Sequence, residues 1–194
     1  MSEQPSRTDV APPPQGGAHR RWDALGIIVA SAIGLLALLV SGYTAYIQRQ
    51  QVRAQVWPYL TVAYQDQELR LTLFNKGVGP GMVRSVRVTV DGKPQRDWRS
   101  ALTSLGLPSN DYRHSTLSET VLSPGESLAV IVLPDAAAYT RFRAAMDTRG
   151  AVDFCYCSTL GDCWMFEDRR SPIKPVVRAV TQCPRLPASD AFTD

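Results

Sequence analysis

The sequence predicts a mainly-β chain in which one N-terminal transmembrane helix precedes an antiparallel β-sandwich carrying one or two short helices. Three observations predict it. Ala24 to Ile47 is a run of 24 residues without a charge. Beyond Leu60 apolar residues recur with a period of two between turn-forming pairs such as Asp91-Gly92 and Pro124-Gly125. All four cysteines, Cys155, Cys157, Cys163 and Cys183, follow the apolar run.

The first segment, 1–21, carries Pro12-Pro13-Pro14 and Gly16-Gly17 and little apolar bulk. It cannot offset the entropy of folding, and disorder is expected. The apolar run, as a helix of about 36 Å, covers a hydrocarbon core of about 30 Å with some tilt. Trp22 at one end and Tyr43 and Tyr46 at the other suit the two interfaces. A cleaved secretory signal is the rival reading, but the run is longer than a signal core and no small-x-small site follows it before Gln48. Small residues Gly26, Ala30, Gly34, Ala37, Ser41 and Ala45 recur along one face, the spacing used by pairing membrane helices and equally by membrane helices rich in Gly and Ala. Gln48 to Val56 extends the helix as a juxtamembrane turn, giving a unit 22–56, and Trp57-Pro58 ends it.

The domain 57–183 follows. Strands are predicted over Leu60–Gln65, Glu68–Leu73 and Met82–Val90 by alternation, and over Leu128–Leu133 as a continuous apolar run buried on both faces. Ala151–Cys157, Cys163–Phe166 and Pro175–Thr181 close the set. Asp97 and Asp135 stand where caps belong, predicting a short helix within Asp97–Asn110 and another over Ala136–Met146. Asn75-Lys76-Gly77-Val78-Gly79-Pro80-Gly81 lacks the Gly-Lys-Ser/Thr ending of a phosphate loop, and its glycines are expected to supply positive φ angles in a turn. The tail 184–194, with Pro184, Pro187 and no periodicity, is expected to be disordered.

Charge and motifs narrow the function. The net charge of +3 comes from scattered Lys and Arg, which argues against nucleic acid as a partner. The domain holds one histidine, His114, in a polar segment with no nucleophile or metal-protease pattern. Glu167-Asp168 beside Arg169-Arg170 reads as a solvated hairpin edge. The expectation is a protein without enzymatic activity or cofactor.

Orientation follows the thiols, because Arg20-Arg21 and Arg49, Arg53 nearly balance across the helix. Cysteines on the C-terminal side alone suit an oxidising compartment there, with the N-terminus in the cytoplasm. Cys155 and Cys157, two apart on a strand, share a face, and the loop Ser158–Asp162 returns Cys163 close to Cys157. Two disulfides are favoured. Among the three connectivities, Cys157 to Cys163 closes a short loop and Cys155 to Cys183 pins the last strand. The alternative is a thiol redox or soft-metal site, Cu(I) or Zn²⁺, on Cys155, Cys157, Cys163 and Cys183.

The order of uncharged helix, Gln/Arg-rich stretch, Trp57-Pro58-Tyr59, Asn75-Lys76-Gly77-Val78-Gly79-Pro80, Cys155-Tyr156-Cys157-Ser158 and Asp162-Cys163-Trp164 resembles a group of uncharacterised bacterial single-pass envelope proteins with an immunoglobulin-like periplasmic domain. The resemblance implies the bacterial inner membrane, a periplasmic domain and no particular activity. The expected role is a binding or scaffold module for another envelope protein, with self-association through the helix as a second partner mode.

Overall fold

The computed structural model describes residues 17–168 and 176–193, with side chains from Trp22 onward. The chain divides into two units, Met1–Gln50 and Gln51–Asp194. The first unit is the apolar part of helix α1, Gly17–Gln55, and one stretch of it, Trp22–Gln55, is long and apolar enough to cross a membrane. Its Ile, Leu and Val side chains are exposed, as a helix solvated by lipid requires. The helix begins inside the tail expected to be disordered, at Gly17; 1–16 lies outside the described residues.

In the second unit two antiparallel sheets share one core. The first has the order β1-β2-β7-β5, from β1 (Leu60–Gln65), β2 (Arg70–Asn75), β7 (Ser127–Val132) and β5 (Arg113–His114). The second runs β10-β9-β8-β3-β4, from β10 (Val176–Val180), β9 (Cys163–Glu167), β8 (Gly150–Cys157), β3 (Gly81–Val90) and β4 (Lys93–Gln95), with β6 (Val121–Leu122) also paired to β3. Leu60, Leu71, Leu73 and Ile131 from the first sheet meet Val83, Val86, Val88 and Phe154 from the second. All seven predicted strands are present; the three that sequence reading missed, β4, β5 and β6, are two or three residues long. Pro175 and Arg169-Arg170 lie outside the described residues.

Two bulges reconcile the pattern with the core. In β3 the pairing with β8 skips Arg84, so Val83 and Val86, three apart, both point inward. In β7 the extra residue is Val130, which lets the neighbours Val130 and Ile131 both reach zero exposure. The apolar run of β7 therefore reflects a bulge. It is not buried on both faces, since Leu128, Ala129 and Val132 stay half-exposed.

Helix α2, Trp98–Ser104, starts with a capping box: Asp97 accepts from the Ser100 backbone N–H at 2.7 Å and the Asp97 N–H donates to Ser100 Oγ. It buries Trp98, Ala101 and Leu102. Helix α3, Ala136–Arg149, is capped by Asp135 and buries Tyr139, Phe142 and Met146, the stripe expected; it runs three residues past Met146. Arg149 there reaches the carbonyls of Ser104 and Leu105 as well as Asp91. Asp66, in the β1–β2 turn, accepts from Tyr139 Oη and from Arg143. These two donors hold its carboxyl below the usual carboxylate range.

The glycine-rich loop before β3 corrects the expectation about its backbone. Gly77, Gly79 and Gly81 do not have positive φ. Gly77 and Gly79 lack side chains because backbone passes against them: a Cβ on Gly79 would lie 2.1 Å from the Val56 carbonyl oxygen, and one on Gly77 would lie 2.3 Å from the Tyr59 nitrogen. Val78 and Gly79 donate to the Trp57 carbonyl, and Lys76 donates to Tyr59. Asn75, 1% exposed, locks the loop: Nδ2 donates to the Gly79 and Leu122 carbonyls while Oδ1 accepts from Gly77 and Tyr59. Trp57-Pro58-Tyr59 is thereby clasped to the domain.

The tail 184–194 is likewise corrected. Pro187 starts a turn, and Phe192 is 1% exposed, with its ring edge-on to Trp98 at 5.1 Å between centroids. The reason lies on the edge of β3, where β6 covers Gly81-Met82 and β4 covers Val88–Val90. Between them the Val86 carbonyl is open, and the Phe192 N–H fills it. Thr193 donates to Arg96, Ser118 donates to the Phe192 carbonyl and Asp190 pairs with Arg87.

Candidate functional site

Alternation along β8 separates two environments. Val152, Phe154 and Tyr156 face the core, and burial pushes the Tyr156 phenol up to about 12. Asp153, Cys155 and Cys157 lie on the opposite face of the second sheet, as expected for residues two apart. Cys157 stands opposite Cys163 in the β8–β9 register, because Ser158–Asp162 makes a tight hairpin with Gly161 at positive φ and the Ser158 N–H donating to Asp162.

The sulfurs are paired Cys155–Cys183 and Cys157–Cys163, with Cα atoms 5.6 and 4.0 Å apart, and no cysteine is free. Bonded in this way none offers a thiolate to a metal. The two bridges touch: Cys157 Sγ is 3.6 Å from Cys183 Sγ. Cys155 is fully buried, Cys157 and Cys163 nearly so, and Cys183 is half-buried.

From Cys183 the chain crosses this outer face as a strap, with a depression on each side. One, about 410 Å³, is lined by Arg87, Asp153, Met165, Glu167, Arg178 and Leu186. Asp153 accepts from the Asp168 N–H at 2.9 Å; burial first, then the Asp168 and Glu167 carboxylates, raise its pKa against that bond and Arg87. Glu167 pairs with Arg178 across β9 and β10, so the Glu167-Asp168 edge is half-buried and tied in place, a correction to its reading as simply solvated. The second depression is an open groove of about 1090 Å³, whose walls include Arg84, Thr116, Ser118, Glu119, Cys183 and Arg185.

The other sequence candidates lie elsewhere. Gly26, Ala30, Gly34, Ala37, Ser41 and Ala45 sit exposed along α1, and a Cβ at Gly26 or Gly34 would meet nothing within 4 Å. His114 is exposed on β5 beside Tyr112. Sequence reading missed the strap and both depressions. Phe192, the one aromatic residue after Cys183, was the available signal.

Fold and site together define a chain with a membrane-length apolar helix and a two-sheet β domain braced by adjoining disulfides. Compared with protein families, curated proteins and solved structures, it matches none.

Proposed function

We propose that this chain is a non-enzymatic, membrane-anchored envelope protein of a bacterium, its helix in the inner membrane, its N-terminus cytoplasmic and its disulfide-braced domain periplasmic. In this reading the domain is a sandwich of the immunoglobulin-like class and presents a surface to another envelope protein. The observation that carries the reading is the pairing of all four cysteines on the C-terminal side of a lipid-suited helix. The resemblance noted in the sequence supports the same location. Recognition then needs a rigid scaffold with an open depression that carries charged side chains, and the groove beside Cys183, with Arg84, Glu119 and Arg185 on its walls, is the preferred surface. The small-residue stripe of α1 supplies a second contact, with another copy or another membrane helix.

The test is affinity capture of the full chain from detergent-solubilised envelope, with and without charge reversal at Glu119 and Arg185. A discrete partner whose recovery falls with the reversal is expected. Recovery indifferent to both substitutions contradicts the groove as the binding surface, and no partner under any extraction contradicts the binding role.

A further inference from the structure

Disulfides that brace a domain independently have no need to touch, and these two do. Cys157 Sγ lies 3.6 Å from Cys183 Sγ, and the sulfurs of Cys157, Cys163 and Cys183 fall within 4.8 Å of one another. The strand register produces this: Cys157 is opposite Cys163, Cys155 shares its face two residues earlier, and Cys183 arrives over both. Access is graded in the same order. Cys155 is 0% exposed, Cys157 6% and Cys163 8%, whereas Cys183 is half-buried at the groove that Arg84, Arg185 and Glu119 line.

We propose that the two bridges form a thiol–disulfide exchange site, which takes two electrons from an external dithiol at Cys183 and passes them to the Cys157–Cys163 pair. A donor thiolate attacks Cys183 Sγ, the Cys155–Cys183 bond breaks, and Cys155 leaves as thiolate and takes a proton. The donor's second thiolate then attacks its own sulfur in the mixed disulfide, so that the donor leaves as a disulfide and Cys183 as a thiolate. That thiolate, released from Cys155 and free to turn about its Cα–Cβ bond into line with the Cys157–Cys163 bond, attacks Cys157 Sγ; Cys157–Cys183 forms and Cys163 is expelled. Cys155, deprotonated again, attacks Cys183, restores Cys155–Cys183 and expels Cys157. The donor has been oxidised by two electrons, Cys157 and Cys163 are thiols, and no oxidant beyond the two original bridges is needed. The exchange is one stoichiometric transfer per chain, without turnover, and so stands beside the non-enzymatic binding role and is independent of it.

The decisive species is the Cys157–Cys183 bond. Full-length protein in detergent is treated with one equivalent of dithiothreitol, quenched in acid, alkylated and cleaved after Tyr156, Leu160 and Trp164, which puts Cys155, Cys157 and Cys163 on separate peptides. A Cys157–Cys183 peptide pair is expected, with label on Cys163 and Cys157 as well as on Cys155. Label confined to Cys155 and Cys183 with Cys157–Cys163 intact overturns the proposal. So does a Cys155–Cys163 pair as abundant as Cys157–Cys183, the mark of scrambling in an unfolded chain. Cys163→Ser provides a second reading without added reductant: its Cys157 thiol adjoins an intact bridge, and label is expected to divide between Cys157 and Cys155. Label on Cys157 alone overturns the exchange.

Discussion

Phe192→Ala removes a ring that is 1% exposed and packed against Trp98 from a segment whose composition suggests a loose tail. Truncating a fully buried phenylalanine costs about 3–5 kcal/mol, of which the edge-to-face pair with Trp98 accounts for about 0.5–1.5 kcal/mol. The strap's hydrogen bonds to Val86 and Arg96 are left weaker, which keeps the estimate away from its lower limit. For a unit of this size each kcal/mol moves the melting temperature by about 2–4 °C, so a fall of about 6–20 °C is expected. Urea unfolding of the full chain in detergent, followed by tryptophan fluorescence, measures the difference, with Ser189→Ala in the exposed part of the strap as the control. A loss below about 1 kcal/mol, close to the span of ordinary surface substitutions, would refute the packed tail.

Two further substitutions probe the loop and the half-buried Asp153. Gly79→Ala drives a Cβ into the Val56 carbonyl and is expected to lower stability by about 1–3 kcal/mol in the same urea assay; no change would show that the clasp on Trp57-Pro58-Tyr59 is not tight. Asp153 has its folded pKa raised by burial, so its contribution to stability is full below the unfolded value and is lost as pH rises through the folded one. Asp153→Asn keeps an acceptor for the Asp168 N–H without that loss, and its melting temperature relative to the parent protein should climb between pH 3 and pH 7. A flat or falling difference counts against the assignment.

Sequence reading reached the features that depend on short-range periodicity. The uncharged run from Ala24, seven strands, the caps at Asp97 and Asp135, and a Cys157–Cys163 hairpin all follow from spacing over a few residues. What it missed depends on partners distant in the chain. Phe192 folds because Val86, more than a hundred positions earlier, has an open carbonyl between β4 and β6, and no local pattern around Phe192 encodes that. Gly79 is small because Val56 passes it, and a glycine in a loop suggests turn geometry first. Bulges at Arg84 and Val130 change the phase of a strand without altering its composition, so the burial of Val130 beside Ile131 imitates a strand enclosed on both faces. The cysteine cluster was legible as residues sharing a face. The contact between its two bridges required the path of the strap.

The central claim, that α1 remains in the membrane with the disulfide-braced domain on the oxidising side, is tested most directly by a dual reporter fused after Asp194. One half is a phosphatase that gains activity only after export, and the other a fluorescent protein that matures only in the cytoplasm. The account predicts phosphatase activity without fluorescence in washed membranes. Fluorescence without phosphatase activity would contradict it.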